Sequence, residues 1–245
     1  MNAAPDAQLR LLDLQAVDTT LDQLAHRRRT LPELAEIARL TAERQRLDSQ
    51  RMQADVEVGD LDREQRKLET DVDQVRARAE RDQQRMLVST SPKEAEGLQH
   101  EITSLARRQS DLEDQLLELM ERREEADTRQ AAVVEALERA EADHDVMVTG
   151  RDKVFAEIDA ATAEQHAVRA SIAAEVPADL LAVYERIRLS SGGTGAARLF
   201  RHRCEGCHLE LSGGDLQAAR AAAPDEVLRC EECGRILVRT AESAL

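Results

Sequence analysis

Apolar residues recur along most of this chain in alternating steps of four and three. From Leu98 the positions run through Ile102, Leu105, Gln109, Leu112, Leu116, Leu119, Arg123, Ala126, Gln130, Val133, Leu137, Ala140, His144, Met147, Arg151, Val154, Ile158, Ala161, Gln165 and Val168 to Ile172. Sixteen of these twenty-two are apolar, with no slip of phase. A seam of period 3.5 flanked by charge predicts a left-handed coiled coil. The same phase runs from Ala54 through Val58, Leu61, Gln65, Leu68, Val72, Val75, Ala79 and Asp82 to Met86. A shorter segment carries Leu14, Val17, Leu21 and Leu24.

Prolines divide the pattern into helices at about 6–29, 33–88 and 93–174, with a hairpin tip at 89–92. At the tip Ser91 reads as an N-cap, Pro92 as the first helical residue, Lys93 as the second, and Glu94 as the return half of a capping box. At about 1.5 Å per residue the second helix is roughly 85 Å long and the third roughly 120 Å. The excess of the third is close to the length of the first. The expectation is therefore one antiparallel rod over residues 1–175, with the first helix covering the base of the third. A parallel homodimer is the alternative, disfavoured by the short turn between two matched seams.

Composition supports helices over a conventional globular core. The 245 residues include no Trp, one Tyr and two Phe, and 34 % are charged. Of the net charge of −15, only −1 falls in residues 176–245. The acidic rod repels phosphate backbones, so a nucleic-acid contact has to come from elsewhere. Arg123, His144 and Arg151 on the seam read as register-setting residues rather than chemistry. There is no Ser/His/Asp arrangement, phosphate loop or open metal site, and the expectation is a protein that is not an enzyme and has no small-molecule substrate.

The chain's four cysteines form two pairs, Cys204-Glu205-Gly206-Cys207 and Cys230-Glu231-Glu232-Cys233. Two Cys-x-x-Cys turns supply the four thiolates that tetrahedral Zn²⁺ prefers, so the expected cofactor is one structural Zn²⁺. A dithiol redox centre normally has one pair within a βαβ unit, and disulfides suit secreted proteins. Residues 1–25 lack the features of a signal peptide, and no stretch approaches the apolar length of a membrane span. A cytoplasmic, reducing location is expected, with no membrane association.

Residues 176–245 then read as a helix at Asp179–Leu189, a flexible linker at Ser190–Gly195, and a ribbon at about 197–239. Within the ribbon a short helix is expected at Leu216–Ala222 and a strand at Val227–Arg229. Gly206 and Gly234 are expected to supply positive φ near the sulfurs. His208 is set aside as a ligand because four thiolates already close the site. Strand alternation places Arg198, Phe200 and His202 on one face and Arg201 and Arg203 on the other. With Arg235 these are the candidate nucleic-acid contacts, a stacking ring among phosphate-pairing cations; the bland alternative is a set of solubilising arginines.

The run Cys204-x-x-Cys207-His208-x-x-Leu211, then Leu216, then Glu226-Val227-x-x-Cys230-x-x-Cys233-Gly234-Arg235-Ile236-Leu237, resembles a bacterial family with a coiled-coil hairpin and a C-terminal four-cysteine zinc ribbon. Ser91-Pro92-Lys93-Glu94 followed by Leu98, Glu101 and Ile102 resembles its hairpin tip, although Ala95 stands where that family often has an aromatic. The resemblance implies a non-enzymatic regulator or chaperone of the flagellar and sigma-factor-binding kind, some members of which bind RNA through the ribbon. It implies zinc on Cys204, Cys207, Cys230 and Cys233.

The fold class expected is mainly α, a long antiparallel coiled-coil hairpin plus a small C-terminal zinc-ribbon domain. The functional expectation is a zinc-binding adaptor that docks a protein partner through its coiled coil and RNA or DNA through its ribbon. The alternative is a purely protein-binding scaffold or chaperone.

Overall fold

A computed structural model describes all of residues 1–245. In chain order the elements are α1 (Pro5–Arg29), α2 (Pro32–Val88), α3 (Pro92–Ala174), α4 (Ala178–Ser190), β1 (Ala196–Phe200), β2 (Arg203–Cys204), α5 (Gly213–Ala221), β3 (Leu228–Arg229) and β4 (Ile236–Val238). Pro5, Pro32 and Pro92 each open a helix, where a missing N–H costs nothing. No helix is long and apolar enough to cross a membrane. The chain forms two compact units, Ala35–Val148 and Met1–Leu34 with Thr149–Leu245.

In the first of these units α2 and α3 pair antiparallel. Every seam position expected from Ala54 to Met86 and from Leu98 to Met147 is buried or half-buried. Leu40 and Leu47 extend that seam upstream, and Leu61, Leu119 and Ala126 form its packed centre. Register is marked by Arg129–Glu57 at 2.7 Å, Arg123–Asp62 at 2.6 Å and Arg78–Glu101 at 2.6 Å. Such exposed pairs are each worth less than about 1 kcal/mol, so they select a pairing more than they stabilise it. Seam residue Asp82 stays buried between Arg78 and Arg85, 3.9 and 3.5 Å away.

The tip departs from a simple capping box. Ser91 Oγ accepts from the Glu94 amide at 3.4 Å, as expected. The Glu94 carboxylate instead accepts from Ser89 Oγ at 2.9 Å, and the Ser91 amide donates to Ser89 Oγ at 3.4 Å. Ser89 thus relays the return half of the box. Beside it Leu87 and Val88 are 78 % and 80 % exposed.

In the other unit α1 packs on the last part of α3, on α4 and on the sheet. Leu11 and Leu14 are fully buried with Leu180, Tyr184, Ile236 and Val238. The sheet order is β2-β1-β4-β3, with β1 and β4 parallel and the outer pairings antiparallel. One face of β1 and β4 therefore belongs to the helical core, so burial shares with the metal the task of holding the ribbon. The α3 seam slips here. Val168 is 41 % exposed, and Arg169 turns inward to meet Asp18 of α1.

The Ser190–Gly195 segment, expected to be flexible, is pinned. Gln15 Oε1 accepts from the Gly195 amide at 2.7 Å, and Gln15 Nε2 donates to the Gly193 carbonyl at 3.0 Å. Arg235 donates to the carbonyls of Ser191 and Thr194. The N-terminus is likewise tied: the Ala3 amide donates to Asp225 O and the Val227 amide to Met1 O. Inside the ribbon, α5 begins at Gly213 because Ser212 caps the Asp215 amide at 3.1 Å.

Candidate metal centre

The two cysteine turns are near copies of each other. In the first, the His208 amide donates to Cys204 O at 2.8 Å and the Cys204 amide to Leu209 O at 3.0 Å. In the second, the Gly234 amide donates to Cys230 O at 2.7 Å and the Cys230 amide to Arg235 O at 2.9 Å. An arginine braces each from the preceding residue, Arg203 Nε to His208 O and Arg229 Nε to Gly234 O. The fifth residue of each turn is left-handed, His208 at φ 60° and Gly234 at φ 71°. Positive φ therefore falls on His208, not on Gly206 as expected. Gly206 is required for space: a Cβ there would stand 2.6 Å from Arg235 Cδ and 3.0 Å from Ala197 Cβ.

The turns bring all four Sγ atoms within 4.8 Å of one another. Cys204–Cys233 is 3.9 Å and Cys207–Cys230 is 3.8 Å. A zinc tetrahedron with bonds of about 2.3 Å has sulfur–sulfur edges of about 3.8 Å, whereas a disulfide needs about 2.05 Å. The donor set fits one structural Zn²⁺, with Ala197, Leu237 and the flanking leucines packed behind it. Without the metal these thiols differ. Burial pushes Cys204 up to about 12 and raises Cys230 as well. For Cys233 burial also pushes up, but the Arg235 amide and side chain and neighbouring thiols outweigh it and hold it at about 7. Cys204, Cys207, Cys230 and Cys233 would hold the ion with four sulfurs, which would leave no position for a reacting water.

The candidate nucleic-acid residues do not form the two-faced strand expected. β1 ends at Phe200, and Arg201 and His202 form a left-handed turn at φ 43° and 69°. Arg198 pairs with Glu205 and Glu242. Its pull, first through the hydrogen bond and then through charge, holds the Glu205 carboxyl below the usual range. His202 Nε2 meets the Ala244 carbonyl at 2.9 Å. Arg203 braces its own turn, and Arg235 grips the α4–β1 segment. Phe200 is half-buried under Arg198 and Arg201. Arg201 alone among these four arginines has its guanidinium in no ion pair or hydrogen bond.

With this geometry in place, residues 14–192 match the CT398-like coiled coil hairpin domain and residues 203–237 the C4-type zinc ribbon domain. The chain belongs to the CT398-like coiled coil hairpin family. Uncharacterized protein Rv2229c of Mycobacterium tuberculosis is 39 % identical over 241 residues, 98 % of both chains. A solved structure from Mycobacterium smegmatis is 34 % identical with a TM-score of 0.87, covering 98 % of this chain and 100 % of that one. CT398 from Chlamydia trachomatis, at 19 % identity, has a TM-score of 0.71 over 96 % of this chain and 98 % of its own, a likeness of fold.

This member of the CT398-like family also carries a charged cleft that the sequence pattern did not reveal. It holds about 540 Å³ among α1, the end of α3, and α4. Asp18 at its base is 1 % exposed and accepts hydrogen bonds from Tyr184 OH and Arg169 Nε, each at 2.6 Å, while Arg188 Nε forms only an ion pair with it at 3.3 Å. Arg169 also pairs with Glu185, and Arg188 with Asp22. Burial, and then the bond to Asp18, pushes the Tyr184 phenol far above its ordinary range. A paired carboxylate and a phenol that stays protonated offer neither a free base nor a nucleophile. The cluster is a structural lock. Its sequence signal was faint: Asp18 sits one residue past Val17, on the edge of an apolar stripe.

Proposed function

We propose that this non-catalytic zinc-binding protein is a scaffold or chaperone that docks protein partners through its coiled-coil hairpin, with the ribbon as a second protein-contacting surface. The observation that carries this reading is the apolar surface of the hairpin off its seam. Leu87 and Val88 at the tip, Met52 and Val56 on α2, and Leu117 on α3 are each more than half exposed on otherwise charged helices. Leu87 with Val88, and Met52 with Val56 one helical turn apart, place exposed apolar side chains side by side, the kind of surface that a partner buries. Against nucleic acid stands the use of the ribbon's donors: Arg198, His202, Arg203 and Arg235 are engaged within the protein. Arg201 beside Phe200 is the one feature that favours the nucleic-acid reading.

Purification from the native host with and without nuclease tests the proposal. One protein partner is expected to survive nuclease treatment, and Leu87→Ser with Val88→Ser to lose it while helicity is unchanged. Recovery that depends on nucleic acid and on Arg201 would reverse the assignment.

A further inference from the structure

The zinc ribbon has a groove of about 300 Å³ between α5 and edge strand β3. Its floor is apolar, with Leu237 and Ala219 buried, and its walls are the half-buried Leu211, Val227 and Leu228. Such a volume lies at the small end of ligand sites and admits an aliphatic side chain.

The rim is acidic. Asp215 stands in the first turn of α5, and Glu226 and Glu231 flank β3. None of the three makes an ion pair, and Asp215 accepts only from Ser212 within its own cap. Arg229, the only cation lining the groove, directs its Nε to the Gly234 carbonyl. Seven acids and two arginines lie between Cys204 and Cys233. Zinc with four thiolates adds a formal charge of about −2 beside the same wall. This field repels phosphates and draws lysine and arginine.

We propose that this groove binds a basic segment of a partner protein, seating one aliphatic side chain on Leu237 and Ala219 while flanking Lys or Arg residues pair with Glu226, Glu231 and Asp215. The inference rests on the ribbon contacting protein, yet its test is separate from that of the hairpin tip, because it uses neither Leu87 nor Val88.

The probe is a fluorescein-labelled eight-residue peptide with two central leucines flanked by paired arginines, titrated into the zinc-loaded full chain at low salt. Three changes are each expected to weaken binding by about tenfold or more: glutamates for the arginines, serines for the leucines, and Glu226→Lys with Glu231→Lys in the protein. Ala218→Trp, on the α5 side of the groove, should fill it and block the peptide with zinc content unchanged. No binding of the arginine–leucine peptide overturns the proposal. So does unchanged affinity in the charge-reversed protein, or equal binding of the serine peptide.

Discussion

Replacing Asp18 tests whether the buried polar cluster holds α1, α3 and α4 together. Asn preserves the volume and leaves Tyr184 an acceptor, but removes the charge facing Arg169 at 2.6 Å and Arg188 at 3.3 Å. Orphaning a buried partner entirely costs about 3–5 kcal/mol. Here Arg169 keeps Glu185, Arg188 keeps Asp22, and their side chains remain 22 % and 19 % exposed. Those outlets bring the expected cost of Asp18→Asn to about 2 kcal/mol. Ala also deprives Tyr184 OH of its charged acceptor, leaving Gln15 Oε1 at 3.2 Å, and adds a void. That raises the cost to about 3–4 kcal/mol. Tyr184→Phe removes one charge-assisted bond, and about 1.5 kcal/mol follows. Because Tyr184 is the sole tyrosine and there is no Trp, its fluorescence during urea unfolding reports on this unit alone. Far-UV ellipticity serves for Tyr184→Phe. With slopes of about 1–3 kcal/mol per molar urea, Asp18→Asn should lower the midpoint by roughly 1 M. An unchanged midpoint for Asp18→Asn, or Tyr184→Phe costing more than Asp18→Ala, would mean that the Asp18 charge does not hold the three helices together.

Burial raises Cys204 to about 12 and also raises Cys230, favouring the protonated thiols in the metal-free protein. Zinc must displace those protons, so its apparent affinity should climb with pH through neutrality and fall on acidification. Calorimetry in two buffers of different ionisation enthalpy should find at least two protons released per zinc; fewer than one contradicts the burial argument. Val168→Glu should shift stability by less than about 0.5 kcal/mol, whereas Ile158→Ala, at a position only 2 % exposed, should cost about 2–4 kcal/mol. Equal costs in thermal melts would mean that the seam does not slip. Gly206→Ala should weaken zinc retention about tenfold in chelator competition, since its Cβ meets the held Arg235 chain; unaltered retention would show that Arg235 yields freely.

The helices and the metal ligands were legible because each rests on short-range regularity. A period of 3.5 positions a side chain on a seam whatever the partner, and a Cys-x-x-Cys turn aims two sulfurs by local backbone geometry. Legibility stopped where a second element intervened. Val168 satisfies the period yet faces water, because Asp18 draws Arg169 inward. Glu94 carries the capping-box signal, yet Ser89 takes the return bond. Ser190–Gly195 has a linker's composition, and Gln15, some 180 residues earlier, pins it.

The mainly helical class, the phase of the hairpin seam, the turn at Ser91-Pro92 and the four thiols offered to zinc were all readable from residue order. These follow from periodicity, from proline's missing donor, and from the affinity of zinc for thiolate. That α1 and the ribbon share one core, that Asp18 accepts from the buried Tyr184, and that most of the ribbon's basic side chains are spent on carbonyls and carboxylates became visible only in the folded chain. A cation's availability depends on what lies within about 3 Å of it in space, and residue spacing along the chain does not carry that information.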